Sequence, residues 1–386
     1  VLAAWESEDM PLPWEEWATF GNYLDYLRRT GISLNVVPLV GQGTVRAAVM
    51  GFGAEPADGE QMKRMQAEVV KAMDEGAIGV STGLIYPPGS YASTEELVDV
   101  TRPSGERDGF YFSHIRGEAE TLLDAVSEAV SIGRQTDTSV QIAHFKSVRE
   151  PNWHKTAAAL ELLDAARAEG LDISADLYPY LASNTSLSTF LPDWAHEGGK
   201  AAILERLADT DTRREMARDM QSGGFAFETD WSQVIIGSSP KNRAYDGRTV
   251  AELAGEANKS AVEWVFDALL ETGLDIDMIS FGMSEENRKL ELRYPAMMIG
   301  TDGSARATEG PMSRGKPHPR NYGTFPRVLG YYVREQGTIS LEEAIWKMSG
   351  LPAQKLRWTD RGLVKAGHRA DLVVFDPETV ADRATF

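Results

Sequence analysis

Three things are scarce or absent in this 386-residue sequence, and each narrows the class of protein. There is no cysteine, which excludes disulfides and thiolate chemistry within the chain. No run of about eighteen apolar residues occurs, so we expect no transmembrane helix. Basic residues are few: 39 lysines and arginines stand against 58 aspartates and glutamates, giving a net charge of -19. Such an acidic chain argues against a nucleic-acid partner and against binding to an anionic membrane.

The rest of the composition is that of a globular protein with a sizeable core. Hydrophobic residues make up 42% and charged residues 25% of the chain. The length fits one large α/β domain or two smaller domains. The first residues, VLAAWESEDMP, contain neither a basic segment nor a cleavage signal, so a cytoplasmic location is expected. The oligomeric state is left open.

Two short apolar runs each end on a histidine. Residues 111–114 and 140–144 are rich in aromatic or β-branched types and are bounded by turn residues, which predicts buried strands. Residues 118–133, between them, have the apolar spacing of a helix. Consecutive parallel strands end side by side, so His114 and His144 are placed to share one metal ion, and neutral imidazole is a common zinc ligand. Two ordinary polar residues satisfied by hydrogen bonds would fit the same pattern.

Elsewhere the sequence alternates predicted strands with predicted helices. Further strands are predicted at residues 32–40, 77–80, 172–178, 278–283 and 296–301. Helices are predicted at residues 14–29, 58–75, 155–169, 260–272, 284–293, 325–335 and 340–349, and from Thr94 to an interruption at Pro103. The alternation lapses between about residues 190 and 253, which we interpret as an insertion. Residues 361–377 alternate like an antiparallel strand pair.

This alternation indicates a parallel sheet, for which two architectures compete. A closed barrel needs eight strands, whereas a doubly wound open sheet needs only five or six but usually has a glycine-rich phosphate turn, which is not found here. A serine-hydrolase site is a third possibility, because residues 79–83 read G-V-S-T-G after a strand. That motif needs a helix immediately afterwards, and Pro87 and Pro88 preclude one.

Several short motifs resemble, in this order, those of the amidohydrolase superfamily, and within it the N-acyl-D-amino-acid deacylases (D-aminoacylases). They are VPLVG at 37–41, GVSTGL at 79–84, SHIR at 113–116, AHFKS at 143–147, DLYPY at 176–180, GTDG at 300–303, HPR at 318–320 and G-x-x-ADLVVFDP at 367–377. Each motif alone is weak, but the ordered set is specific and covers nearly the whole chain.

The resemblance implies an α/β fold: a (β/α)8 metal-dependent hydrolase barrel with strands three to eight present, followed by the start of a C-terminal β-sandwich. The implied bounds are 1–357 for the partial barrel, with its insertion at about 190–253, and 358–386 for the sandwich. The family's His-x-His, its metal-bridging cysteine and its strand-four lysine have no counterpart in this sequence. The chain therefore looks like a fragment, and we expect it to be inactive alone, because catalytic zinc normally has three protein ligands.

The resemblance also implies a reaction, the zinc-dependent hydrolysis of the amide bond of N-acyl-D-amino acids. His114 and His144 would hold Zn²⁺ as ligands from the fifth and sixth strands. Asp302 would be the general base, because a carboxylate beside activated water can take its proton and then deliver it to the leaving amine.

The substrate is expected to be a small molecule, an N-acyl amino acid, whose carboxylate would be bound by Lys146, Tyr178 and Arg320. A guanidinium fork suits a carboxylate well. Two alternatives remain. A cyclic amide hydrolase of the dihydroorotase or hydantoinase kind would use the same metal chemistry, although the Lys146 and Arg320 pair favours an open-chain acyl amino acid. A binding or scaffold protein on a degenerate barrel would have no catalysis at all.

Overall fold

Residues 13–223 and 226–386 are described by a computed structural model, and they form two β-sheets. The strands are β1 (Val40–Gly41), β2 (Gly79–Gly83), β3 (Phe110–His114), β4 (Ser139–Ile142), β5 (Ile173–Leu177), β6 (Ala182–Ser186), β7 (Val234–Ser238), β8 (Asp277–Phe281) and β9 (Met297–Ile299). A six-stranded parallel sheet has the order β1-β2-β3-β4-β5-β9. A three-stranded antiparallel sheet has the order β6-β8-β7.

Helices connect most of these strands. In the described residues they are α1 (Phe20–Thr30), α2 (Gln42–Met50), α3 (Gly59–Asp74), α4 (Thr94–Gly105), α5 (Leu122–Thr136), α6 (Lys155–Ala168), α7 (Gly199–Ala208), α8 (Thr210–Ser222), α9 (Val250–Glu256), α10 (Ala261–Thr272), α11 (Glu285–Arg293), α12 (Arg320–Arg327), α13 (Leu341–Ile345) and α14 (Leu351–Lys355). Two π-helical segments, Val328–Glu335 and Trp346–Gly350, extend α12 and join α13 to α14. Across residues 13–223 and 226–386, no helix has the length and apolar character that crossing a bilayer requires.

The parallel sheet confirms the predicted strands that lead to the two histidines. β3 and β4 pair in parallel, and all four residues of β4 are buried. A parallel sheet is covered on both faces, which is why its strands read as continuous apolar runs and not as alternating ones. The main core joins these strands to the apolar side of α5, including Leu122, Val126 and Val130. The strand ends are therefore held on a rigid, well-packed support.

The antiparallel sheet has a second core of its own. Buried side chains from Leu187 to Met278 pack together around β7, β8 and α10. The departure from strand–helix alternation therefore extends over about residues 182–281, a longer stretch than the predicted 190–253 insertion. The strand predicted at 278–283 forms as β8, but it is the central strand of this antiparallel sheet and does not continue the parallel one.

Pro103 lies inside α4 and does not interrupt it, so that prediction was wrong. A proline nitrogen has no hydrogen to donate to the carbonyl four residues earlier, here that of Asp99. The side chain of Gln66, on α3, donates to this carbonyl at 2.8 Å instead. Because a neighbouring helix supplies the missing donor, α4 continues for two more residues.

Two other predicted strand regions do not form strands. Within residues 32–40 only Val40 joins the sheet, at its edge in β1. No strand forms within residues 361–377, where Val364, Val373 and Val374 are 90%, 84% and 98% exposed. An alternating pattern gives a stable strand only where a neighbouring strand and a core are available, since an isolated pair is marginal in water. The boundary proposed at 357/358 stays a prediction.

Candidate metal and substrate site

The predicted site residues meet in one cavity of about 340 Å³ at the carboxyl end of the parallel sheet. It is lined by every residue that the sequence predicted for the site: His114, His144, Lys146, Tyr178, Asp302 and Arg320. Parallel strands present their carboxyl ends at one edge, so residues nearly two hundred positions apart converge there. β6 of the second sheet contributes Ser183, Asn184 and Thr185 to the wall.

The two histidines are in direct contact. Their ring centroids are 4.5 Å apart, with an angle of 73° between the ring planes. Burial lowers the pKa of His114 to about 3, against the opposing charge of Glu118, so this imidazole is neutral near pH 7. Its Nε2 atom is buried and has no hydrogen-bond partner within the described chain. A neutral, unpartnered ring nitrogen is what a zinc ligand requires.

Glu118 completes this group, although the sequence did not predict it. Ligand atoms of His114, Glu118 and His144 lie within 4.8 Å of one another, close enough to hold a metal ion. The Oε1 atom of Glu118 is also 3.1 Å from Nδ1 of His144.

Lys146 is bound to the same carboxylate. Its Nζ donates to Glu118 Oε1 at 2.5 Å and to the His144 carbonyl at 3.0 Å, and it lies 2.8 Å from Nδ1 of His144. Burial disfavours both charges, but their attraction prevails: the pKa of Glu118 is lowered and that of Lys146 is raised. Lys146 therefore remains charged, with its donors directed at protein groups.

Arg320 and Tyr178 form a second polar group, which is in contact with Asp302. Arg320 Nη1 is 2.7 Å from Asp302 Oδ2, and the guanidinium carbon lies 4.7 Å from the centre of the Tyr178 ring. Arg320 Nε and Tyr178 Oη are buried and have no hydrogen-bond partners within the described chain. Burial raises the pKa of Tyr178, so its hydroxyl keeps its proton and can donate. Two unpaired donors, one of them on a guanidinium cation, form a binding site for an anion such as a carboxylate.

His318 supports Arg320 from behind. Burial lowers its pKa to about 3, which keeps the ring neutral. Its Nδ1 accepts the Arg320 backbone N–H at 3.0 Å, and its Nε2 donates to the Ala182 carbonyl at 2.8 Å. With both ring nitrogens used, His318 ties the start of α12 to β6.

The backbone is strained at two of the predicted site residues. His144 has φ 37° and Asp302 has φ 46°, in the left-handed region that residues other than glycine seldom occupy. Each such residue costs about 1–3 kcal/mol, and residues of this kind concentrate at functional sites.

Comparison with known proteins identifies the family. The profile described as "Amidohydrolase family" matches residues 42–386. D-aminoacylase of Alcaligenes xylosoxydans xylosoxydans is 38% identical over 367 residues, which are 95% of this chain and 66% of that protein. N-acyl-D-glutamate deacylase of the same organism is 33% identical over 380 residues, 98% of this chain and 67% of that protein. This chain belongs to the amidohydrolase family, and it spans about two thirds of the length of these relatives.

Solved structures of such relatives share the fold. A D-aminoacylase structure, described for the role of its binuclear metal centre, matches with a TM-score of 0.77 at 36% identity, covering 95% of this chain and 67% of that one. N-acyl-D-glutamate deacylase of Bordetella bronchiseptica, complexed with zinc and a phosphonate mimic of the tetrahedral intermediate, matches with a TM-score of 0.80 at 31% identity, covering 100% and 70%. The predicted fold class, the α/β fold of the (β/α)8 metal-dependent hydrolases, is confirmed.

Proposed function

We propose that this chain carries the metal-binding and substrate-binding groups of a zinc-dependent hydrolase that cleaves N-acyl-D-amino acids into a D-amino acid and a carboxylic acid. The observation that carries the proposal is the convergence, in one cavity, of a His–His–Glu group, Asp302 and a buried anion receptor. The similarity to deacylases of D-amino acids, D-glutamate and D-aspartate supports this substrate class. Zinc in a related structure supports the choice of metal.

His114 and His144 are the proposed zinc ligands, with Glu118 near enough to take part. The donor set suits the ion, because the two imidazoles and one carboxylate are ligand types that zinc prefers. When bound, zinc polarises the amide carbonyl and lowers the pKa of water. The ion pair between Lys146 and Glu118 keeps the carboxylate ionised, while the strand ends fix the two rings.

Asp302 is the proposed general base. Its side chain lines the cavity and is 37% exposed, so it can reach a water molecule, and Arg320 Nη1 lies 2.7 Å away. The carboxylate takes a proton from the attacking water and then donates it to the leaving amine.

Tyr178 and Arg320 are the proposed donors to the substrate carboxylate, because each has a buried donor without a partner in the described chain. Lys146 contributes positive charge at the same site, but its hydrogen bonds go to Glu118 and His144. The substrate carboxylate would be held by these donors and the amide by the metal. D and L substrates would then differ in the direction in which the side chain points.

The test separates binding from turnover, because we expect the 386-residue chain to be inactive alone. Binding is measured by calorimetry on the zinc-loaded chain with N-acetyl-D-leucine, its L enantiomer and its amide. Turnover is measured on a chimera that joins this chain to the third of the Alcaligenes D-aminoacylase sequence that it does not span. Hydrolysis of hydantoin or dihydroorotate in preference to N-acetyl-D-leucine would favour the cyclic-amide alternative. Robust turnover by the chain alone would contradict the expected inactivity.

Arg320→Met should lower kcat/KM of the chimera for N-acetyl-D-leucine about 10- to 100-fold, the value of one charged hydrogen bond, and should barely affect the amide. The matched control is Arg327→Met, also on α12, whose guanidinium donates to the Pro179 carbonyl away from the cavity. An equal loss on acid and amide would mean that Arg320 supports its loop and does not bind the carboxylate.

A further inference from the structure

The backbone N–H of His144, just after β4, has an unusual hydrogen-bond partner. Its neighbours make ordinary backbone bonds: Ala143 N–H donates to the Ser113 carbonyl at 2.8 Å, and Phe145 N–H donates to the Asp176 carbonyl at 2.6 Å. The N–H of His144 instead donates to a side chain, the Oδ1 atom of Asp176, at 2.8 Å. A carboxylate thus replaces a ladder bond at the residue whose φ is 37°.

Asp176 is itself fixed in place. Its Oδ2 accepts from Gln141 Nε2 at 2.7 Å, and Gln141 Oε1 accepts from Ser174 Oγ at 2.6 Å. A Cβ atom added at Gly300 would lie 3.2 Å from Asp176 Oδ1, so the backbone just after β9 also closely confines the carboxylate. This carboxylate is partly buried, and within the described chain its hydrogen bonds come from an amide side chain and a backbone N–H. Burying a carboxylate without a cation is costly, which argues that these two hydrogen bonds have a purpose.

We propose that Asp176 and Gln141 form a bracket that sets the pose of His144, and that both are positioning residues for the metal site. The left-handed conformation of His144 is unfavourable by itself, and without the carboxylate its buried N–H would also lack a partner. The backbone would then relax, and the imidazole would move away from Glu118 and His114. The inference rests on the proposed function, because it presumes that His144 is a metal ligand.

Reversing the polarity of the bracket tests the inference. Asp176→Asn has one acceptor oxygen where the carboxylate has two, so it can accept from the His144 N–H or from Gln141 Nε2 but not from both. It can keep both contacts only if the Gln141 amide turns round and gives up the hydrogen bond from Ser174 Oγ. Gln141→Glu places a second carboxylate against Asp176. In the double variant, Asp176→Asn with Gln141→Glu, the donor and acceptor match again in the opposite direction, and the new carboxylate can still accept from Ser174 Oγ.

The measurement is the zinc affinity of the 386-residue chain in competition with a chelator, together with the visible spectrum of the Co²⁺-loaded chain. Each single substitution should weaken zinc about 10- to 100-fold, as expected for a residue that orients a ligand. The double variant should return to within about threefold of the parent, because the coupling between contacting residues is restored.

Asp172→Asn is the matched control. Asp172 lies at the other end of β5 and accepts from Ser139 Oγ, at the start of β4, at 2.6 Å, so it joins the same two strands. Its substitution should lower the free energy of unfolding without changing the zinc affinity.

The outcomes are distinguishable. If Asp176→Asn lowered the free energy of unfolding but bound zinc as tightly as the parent, with the same cobalt spectrum, the bracket would be structural only and the inference would be overturned. A double variant as weak as the single variants would also overturn it. If Asp176→Asn failed to fold, Gln141→Glu and the double variant would still decide the question. If His144→Ala bound zinc as well as the parent, the proposed metal site would fail and the inference with it.

Discussion

Buried polar groups at the two ends of the parallel strands differ in whether they have hydrogen-bond partners. At the amino end, Lys355 Nζ donates to the carbonyls of Val140 and Asp172 at 2.9 and 3.0 Å, and Lys347 Nζ donates to those of Tyr294 and Met297. At the carboxyl end, three buried polar atoms of the cavity have no hydrogen-bond partner in the described chain: His114 Nε2, Tyr178 Oη and Arg320 Nε. Backbone strain is also found at the carboxyl end, at His144 and Asp302.

This difference indicates that the two ends of the sheet have different roles, one in stability and the other in binding. Satisfied polar groups at the amino end stabilise the sheet, whereas unsatisfied groups at the carboxyl end are available to bind a metal and a substrate. The comparison therefore predicts which property each substitution changes: activity and ligand affinity at one end, stability at the other.

The largest effect is expected at the carboxyl end, from Asp302→Asn. Loss of the proposed general base should lower turnover of N-acetyl-D-leucine by the chimera about 10²- to 10⁴-fold. Zinc content and the free energy of unfolding should change little, because the side chain is partly exposed and its contact with Arg320 is a single ion pair. Turnover within tenfold of the parent would exclude Asp302 as the base, and a large loss of stability would contradict the division between the two ends.

A smaller effect, on stability and not on zinc affinity, is expected from Lys355→Met at the amino end. The substitution removes the charged hydrogen bonds from the ammonium to the carbonyls of Val140 and Asp172 and should lower the free energy of unfolding by about 1–3 kcal/mol. Zinc affinity should be unchanged. Urea unfolding and zinc competition measure the two properties, with the exposed Lys365→Met as control. A parallel loss of zinc affinity would mean that the two ends are coupled.

The sequence was informative about the carboxyl end wherever strand position determined the outcome. The apolar runs before His114 and His144 predicted strands, and parallel pairing then brings their ends together, so the cavity and its predicted lining follow from topology. Glu118 was missed because the predicted helix began there, whereas α5 begins at Leu122. Glu118 therefore lies in the loop after β3, where its side chain lines the cavity.

Other features depend on contacts that no local pattern encodes. The hydrogen bond from Gln66 that allows Pro103 inside α4 joins two helices, and the bracket of Asp176 joins a side chain to the backbone of the next strand. The alternation in residues 32–40 and 361–377 cannot show whether a pairing strand lies beside them, and in the described residues these stretches form little or no strand.

The smallest expected effect concerns pH at the amino end. Burial lowers the pKa of Lys355 from 10.5 to about 8, although Asp172 beside it opposes the shift. Between these two pKa values the unfolded chain holds a proton that the folded chain has released, so the free energy of unfolding rises with pH. Below about pH 8 both states hold the proton, and the full cost of burying the charged ammonium is present. Lys355→Met removes this titration. The parent should therefore gain stability relative to the variant as the pH rises above about 8, by about 1 kcal/mol over the first pH unit. Urea unfolding of both proteins across this range measures the gain, and Lys365→Met should follow the parent. A difference between parent and Lys355→Met that stayed constant with pH would mean that Lys355 keeps its proton in the folded chain, held by Asp172.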